Sequence, residues 1–334
     1  MIDKNDLKGV SEFLYYRDVK EDIHAYLRGE KEIAKAETTH FGYYDDHFKW
    51  LRTELTGFSG LPNHGKSKFL TFLSSLKMYH DNWKVAVYTP ETSPVEIVFS
   101  DYLHSMTTKN MFVMRKKPEP VFYQEYEKIL EDQLFVCAPE KMPTSKGILE
   151  KFARAYEYHG CDMFIIDPFN CLDRDWEYSK RDDRYVGDFL DMYKDFAARN
   201  NVCSVVVSHP KGSISKVKNG IDLDFPTAYD LAGGAMWNNK LDNLIFVHRP
   251  NFISSPDDQS VIIRHSKIKK RSIVGKGGDA AMEFDLPRGR YRYMGFEPDF
   301  KPSETALPKL PENNNFDGKV LAANDFVYDN DMPF

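Results

Sequence analysis

The stretch Gly60-Leu-Pro-Asn-His-Gly65-Lys66-Ser67 constrains the fold more than any other part of the chain. In the pattern G-x-x-x-x-G-K-[ST], the glycines let backbone N–H groups turn inward around phosphate oxygens. The helix that follows adds the positive end of its dipole. Lys66 is then placed to reach the β- and γ-phosphates, and the Ser67 hydroxyl to ligate Mg²⁺. A chance glycine-rich loop has no reason to lie between a strand and a helix. Here Leu55–Phe58 reads as a strand, and Lys66–Tyr79 reads as a helix with Phe69, Leu70, Phe72, Leu73 and Leu76 on one face. Gly60, Asn63, His64, Gly65, Lys66, Ser67 and Lys68 are therefore the candidate ATP-binding residues.

The same alternation continues along the chain. Strands are expected over Trp83–Thr89, Leu134–Ala138, Asp162–Ile166, Val202–Val207, Leu244–His248 and Val261–His265. Helices are expected over Pro94–Met106, from a cap at Thr144 or Ser145 to about Tyr158, and over Asp183–Arg199. Ala281–Leu286 and Arg290–Gly295 read as an antiparallel hairpin around residues 287–289. Apolar strands alternating with helices imply an α/β fold, with a mainly parallel sheet covered on both faces. At 334 residues, the chain suits one large domain with appendages, or two small ones. Residues 1–38 read as a helical linker with a narrow stripe of Ile23, Tyr26, Leu27 and Ile33. Residues 39–300 read as the P-loop ATPase domain. Residues 301–334, rich in Pro, Asn and Asp, read as a flexible acidic tail.

A net charge of −6 argues against a general basic coat for nucleic acid but leaves room for local basic loops. Cys137, Cys161, Cys171 and Cys203 form no CxxC pair and no zinc-type spacing. Buried free thiols in a reducing compartment are the simpler reading. The start MIDKNDLKGV has no apolar signal region, and no run approaches the ~18 apolar residues of a membrane span. The expected location is the cytoplasm, that of the host cell for a phage-encoded protein.

Hydrolysis of ATP needs a carboxylate on Mg²⁺ and a group that orients the attacking water. Phe164-Ile165-Ile166-Asp167 is an apolar strand ending in Asp at the edge where open α/β sheets bind ligands, which suits Asp167 as the second metal ligand beside Ser67. Glu91 follows the strand next in sequence to the loop. It can point at the γ-phosphate, or it can simply favour a helix start at Pro94. The basic run Lys267–Arg271 can likewise be a functional cluster or a solvated edge strand.

The order of these pieces resembles the RecA-like hexameric replicative DNA helicases, the family of DnaB, Twinkle and the helicase half of phage primase-helicases. The residues that carry the resemblance are the P-loop, Glu91, Asp167, Val206-Val207-Ser208-His209-Pro210-Lys211, the glycine-containing stretch Asp230–Ala235, and Lys269-Lys270-Arg271. It covers roughly Phe41–Glu297. It implies a RecA-like P-loop core and an ATP- and Mg²⁺-dependent helicase that translocates on single-stranded DNA as a ring, typically a hexamer. By resemblance, Glu91 is the catalytic glutamate and His209 senses the γ-phosphate. Lys269 and Arg271 reach into the neighbouring subunit's site, Arg271 as arginine finger.

Two loops are candidates for the strand. One spans Asp173–Tyr185 with Arg174, Lys180, Arg181 and Arg184 among Trp176, Tyr178 and Tyr185, although four aspartates dilute it. The other spans Lys211–Asn219 with Lys211, Lys216 and Lys218. Backbone charge pairing with occasional stacking is how sequence-independent strand binding is built. The family's N-terminal primase, zinc-binding or collar segments have no counterpart in residues 1–38, which resemble at most a linker helix that packs on the next subunit. The divergent Asp230–Trp237 keeps only the small-residue turn. The tail ends in Asp-Asn-Asp-Met-Pro-Phe334 and resembles the acidic tips with which single-stranded-DNA-binding proteins dock onto replication partners. A RecA-like ATPase of recombination or branch migration also carries a K-x-R pair, so that pair alone does not separate the two functions.

Overall fold

The computed structural model describes residues 15–32, 34–114, 120–174, 182–211, 217–218 and 222–300. Helix α1 (Tyr16–Leu27) carries Ile23, Tyr26 and Leu27 and buries none of its residues. Ile33, Trp176, Tyr178, Lys180, Arg181, Lys216 and the tail through Phe334 lie outside the described residues.

The core begins at β1 (Leu55–Ser59), all five of whose residues are buried. It leads through the glycine loop into α2 (Lys66–Asp81), which buries Phe69, Leu70, Phe72, Leu73 and Leu76 and stops at Asn82 in the left-handed region, φ 55°. Then come β2 (Val85–Tyr88), α3 (Glu96–Thr107), α4 (Met111–Met114), α5 (Pro120–Gln133) and β3 (Leu134–Val136). Next are α6 (Ser145–His159), β4 (Met163–Ile166), α7 (Asp182–Asn200) and β5 (Cys203–Ser208). The Thr144 hydroxyl caps α6 by accepting from the Gly147 N–H at 3.1 Å. A short ribbon, β6 (Val217–Lys218) with β7 (Asp222–Leu223), precedes α8 (Ala235–Lys240). The chain continues with β8 (Asn243–His248), β9 (Ser260–Ile268), α9 (Arg271–Val274), β10 (Gly278–Asp285) and β11 (Arg290–Tyr293).

The main sheet runs β11-β10-β9-β8-β1-β5-β4-β2-β3. Strands β8, β1, β5, β4, β2 and β3 pair in parallel, while β9, β10 and β11 each run antiparallel to the strand before them. The reversal happens where loops replace crossover helices, at residues 249–259 and 286–289. Strands β5 and β8 are buried along their whole length, as expected of β-branched and apolar runs covered on both faces. One core cluster, with Phe58, Phe72, Val205 and Ile245, fills the α2 face. The other, with Phe164, Phe189, Tyr193 and Phe246, fills the α7 face.

Two expectations are refined by the structure, and one helix was not expected. Helix α5 is not foreseen in the sequence, because only Tyr126, Leu130 and Gln133 among its described side chains are buried and the rest reads as charged loop. Strand β9 extends to Ile268, so Lys267 lies within it. The basic run is strand only in part: Lys267 and Ile268 pair with β8 alone, beyond the last β10 partner at His265, and Arg271 opens α9.

Candidate active site

Parallel strands bring their C-terminal ends to one edge, and the register places the candidates there together. Ser59 pairs with Ser208, Ile166 with Val206, and Tyr88 with Ile166. Gly60, His209, Asp167 and Glu91 therefore emerge side by side. At Gly60, φ is +148°, and a Cβ would meet the Val247 carbonyl oxygen at 2.2 Å, so only glycine lets the chain leave β1 this close to β8. The loop is braced from the antiparallel extension by the buried Tyr291, whose hydroxyl donates to the Gly65 carbonyl at 3.3 Å.

The Lys66 ammonium donates to the Leu61 carbonyl at 2.9 Å. Burial draws its pKa down to about 8, against the pull of the Asp167 and Glu91 charges. Asp167 is buried, and burial raises its carboxyl above the usual range, opposed by the Ser67 hydroxyl that donates to it and by the Lys66 charge. A buried carboxylate bonded to a hydroxyl fits the donor set of a hard divalent cation. Among the described residues no cluster of three or more His, Cys, Asp or Glu side chains could hold a metal by itself. Ser67 and Asp167 would thus be completed by phosphate oxygens and water, the usual arrangement for Mg²⁺.

Glu91 lies half-exposed at the mouth. Its Oε2 is 3.4 Å from His209 Nε2, and its Oε1 accepts from Cys171 Sγ at 3.5 Å. The His209 backbone N–H donates to Asn170 Oδ1 at 3.1 Å, which fixes the turn after β5. A carboxylate, an imidazole, a lysine and a hydroxyl–carboxylate pair thus share one mouth.

The side chains of His64 and Lys68 are taken up by other partners. His64 is buried with its ring 5.1 Å from His248 and 4.9 Å from Phe252, and its Nδ1 accepts from the Arg249 N–H at 3.0 Å. Burial and the nearby positive groups push its pKa down to about 3, so it stays neutral. The Lys68 ammonium pairs with Asp101 of α3. Asn63 adopts φ 63° in the turn. What these three can offer a phosphate is backbone.

Sequence reasoning missed a cavity of about 680 Å³ beside α2, lined by Lys68, Thr71, Asp101, His104, Phe284 and Pro287 among others. It joins α3 to the β10–β11 turn, which are distant in sequence, so only the α2 residues beside the loop signalled it.

Lys269 and Arg271 are not brought to this edge. Ile268 pairs with Asn243 at the start of β8, and Asn243 faces Thr56 at the start of β1. They lie at the opposite edge of the sheet from the glycine loop. A buried ionic group roots them: Asp242 accepts from Lys194 at 2.6 Å and Lys269 at 3.4 Å, and Glu54 pairs with Lys270 at 3.1 Å. Arg271 is exposed and has no ion pair among the described residues. The two candidate strand-binding loops leave the C-terminal ends of adjacent strands β4 and β5. Exposed Arg184 sits in the first turn of α7, 3.8 Å from Asp188, and exposed Lys211 follows the His209-Pro210 pair. Lys218 lies on β6.

The fold is that of the RecA-like ATPase domains of DnaB-type replicative helicases. One solved ATPase domain superposes with TM-score 0.66 at 12% identity, over 84% of this chain and 99% of that one. A solved DnaB-like replicative helicase, described with its interactions with primase, superposes with TM-score 0.63 at 12% identity, over 84% and 66%. In sequence, the chain is similar to the Twinkle homolog protein, chloroplastic/mitochondrial, of Arabidopsis thaliana, at 25% identity over 289 residues. The match covers 83% of this chain but 39% of the relative's length. No protein-family model matches the chain. The resemblance to RecA-like replicative helicases thus extends from motifs to fold. Among the described residues no helix is long and apolar enough to cross a membrane.

Proposed function

We propose that the chain is an ATP-driven replicative DNA helicase that works as a ring on single-stranded DNA. One observation carries the reading. Lys66, Ser67, Glu91, Asp167 and His209 gather at one edge of the sheet, while Arg271, with no ion pair among the described residues, stands exposed at the other. A site split this way is complete only where two subunits meet.

In such an interface Lys66 contacts the β/γ-phosphates, and Ser67 and Asp167 hold Mg²⁺, which when bound neutralises charge developing on the transferring phosphoryl. Glu91 orients and deprotonates the attacking water, with His209 fixing its carboxylate. Arg271 of the neighbouring copy supplies a guanidinium to the γ-phosphate, and Lys269 positions that arginine's turn. The cavity beside α2 has room for the nucleoside. Arg184, Lys211 and Lys218, with Arg181 and Lys216 in the same loops, meet the DNA backbone. Helix α1, whose apolar stripe is not buried within the chain, packs on the next subunit.

The direct test is ATP turnover with and without single-stranded DNA, beside unwinding of a forked duplex. Stimulation together with unwinding is expected. Stimulation without unwinding would favour a recombination or branch-migration ATPase, and no stimulation would exclude both.

The lowered pKa of Lys66 gives a second expectation. Phosphates raise the pKa of a lysine they contact, so binding takes up a proton wherever free Lys66 is neutral, above about pH 8. The affinity for ATP should be flat in this group below pH 8 and then weaken by up to about tenfold per pH unit. Titration of a fluorescent ATP analogue from about pH 7 to 9.5 measures it. Lys66→Arg, charged throughout, should remove the slope, and a wild-type affinity that stays level across that range would contradict the assignment.

A further inference from the structure

In the basic run Lys267–Arg271, three lysines are committed to partners inside the chain, while the arginine has no ion pair among the described residues. The Lys267 ammonium donates to the Asn238 and Asn239 carbonyls of α8 at 2.5 and 3.4 Å. Asp242 and Glu54, each only 2% exposed, take the other two lysines. The Asp242 carboxylate accepts from Lys269 at 3.4 Å, from Lys194 of α7 at 2.6 Å and from the Leu55 N–H at 3.2 Å. The Asp242 carbonyl accepts from the Lys269 N–H at 3.0 Å, so side chain and backbone of Lys269 end on one residue. Glu54 pairs with Lys270 at 3.1 Å and accepts from the Asn243 side-chain amide at 2.8 Å. Lys270 leads into α9, its carbonyl accepting from the Ile273 and Val274 N–H groups at 3.0 and 2.9 Å. The far end of α9 is held as well: Val274 is buried, and its carbonyl accepts from the Lys49 N–H at 2.7 Å. Arg271 is thus an exposed side chain on a turn fixed at both ends.

We propose that Asp242 and Glu54 are positioning residues for Arg271, holding its turn against the chain entering β1 and β8 so that the guanidinium is preorganised for the nucleotide site of a neighbouring copy. The inference rests on the split-site reading above and assigns the residues that build its donating half. A merely solvated basic run has no use for buried carboxylates, because taking a carboxylate out of water costs more than an exposed ion pair returns. Two of them, placed on the two lysines directly before Arg271, fix the register of the turn instead. An arginine on a loose turn would have to order its backbone each time it reached across an interface. A held turn leaves only the side-chain rotamers to fix. The placement matters, since a shift of about 1 Å at a reacting centre is enough to lose most of a group's effect.

Asp242→Asn keeps the shape of the side chain and removes its charge, and the partly exposed Lys194 and Lys269 can turn to water. ATP affinity, read with a fluorescent analogue, should stay at the wild-type value while kcat falls about ten- to hundredfold. Lys270→Ala breaks the Glu54 pair from its more exposed end. It should give a smaller fall, and it carries the test where Asp242→Asn does not fold. Rescue in trans is the readout that a structural role within one subunit would not move. A chain with Asp242→Asn keeps its phosphate loop, and a chain with Lys66→Met keeps a well-held Arg271. Co-assembled in equal amounts, the two should recover about a quarter of wild-type turnover, because about a quarter of head-to-tail interfaces join the two sound halves. A defect in the variant's own site would leave the mixture at half the variant's own rate. Wild-type kcat in both variants overturns the inference, as does a loss that the mixture does not rescue. Arg271→Ala with Lys66→Met is the control. No gain in the control sinks the split-site reading and this proposal together, whereas a gain there beside an unrescued Asp242→Asn mixture removes this proposal alone.

Discussion

Replacing Lys66 with methionine is expected to lower ATP turnover by about 10²–10³-fold, the usual cost of removing one preorganised group from a developing phosphoryl or oxyanion charge. The thermal midpoint of the nucleotide-free protein at neutral pH is expected to hold or rise. The sign follows from the shift. Lys66 moves from 10.5 down to about 8 on folding, so its ammonium is disfavoured in the native state. That penalty is fully present below about pH 8 and fades as pH rises toward the unfolded value. It is on the order of 3 kcal/mol at neutral pH, and methionine removes it. Part is given back, because Asp167 loses the cation that opposes its burial. Turnover and calorimetry on the same preparation check both halves. A lowered midpoint would mean that Lys66 mainly holds its own loop through the Leu61 carbonyl, and full turnover would remove it from the site.

Mixing two inactive variants gives the second large effect. Arg271→Ala should bind ATP normally and lose turnover by about 10³–10⁵-fold, the range for an arginine finger. Lys66→Met should be inactive for the complementary reason. When the two are co-assembled in equal amounts, about a quarter of head-to-tail interfaces join an intact Lys66 to an intact Arg271. The mixture should therefore turn over ATP well above the sum of its parts. No gain, in samples whose mixed oligomers are verified by native mass spectrometry, would place Arg271 outside catalysis.

Much of this site could be read from the sequence, for a physical reason. The P-loop, Asp167 and His209 each stand at a strand end, and a buried parallel strand announces itself as a β-branched apolar run such as Val205-Val206-Val207. Pairing order is set by long-range burial and leaves no local mark. The β10–β11 hairpin was legible from its turn, but the sheet order and the antiparallel placement of β9 between β8 and β10 were not. Side-chain direction was lost likewise. His64 lies within the motif and Lys68 directly follows it, yet one turns inward to His248 and the other pairs with Asp101. Glu91 stood between two roles on chemistry alone. Its approach to His209 at 3.4 Å joins residues that are 118 positions apart in sequence.

The opposite-edge placement of Arg271 and the P-loop also sets a counting rule. In the proposed assembly, which runs head to tail, each chain receives at one end and donates at the other. An open row then always contains one loop with no donor and one donor with no loop, whatever its length. Closing such a row finishes every nucleotide site. Ring closure would thus be an energetic consequence of where one arginine was left, as well as a way of enclosing DNA.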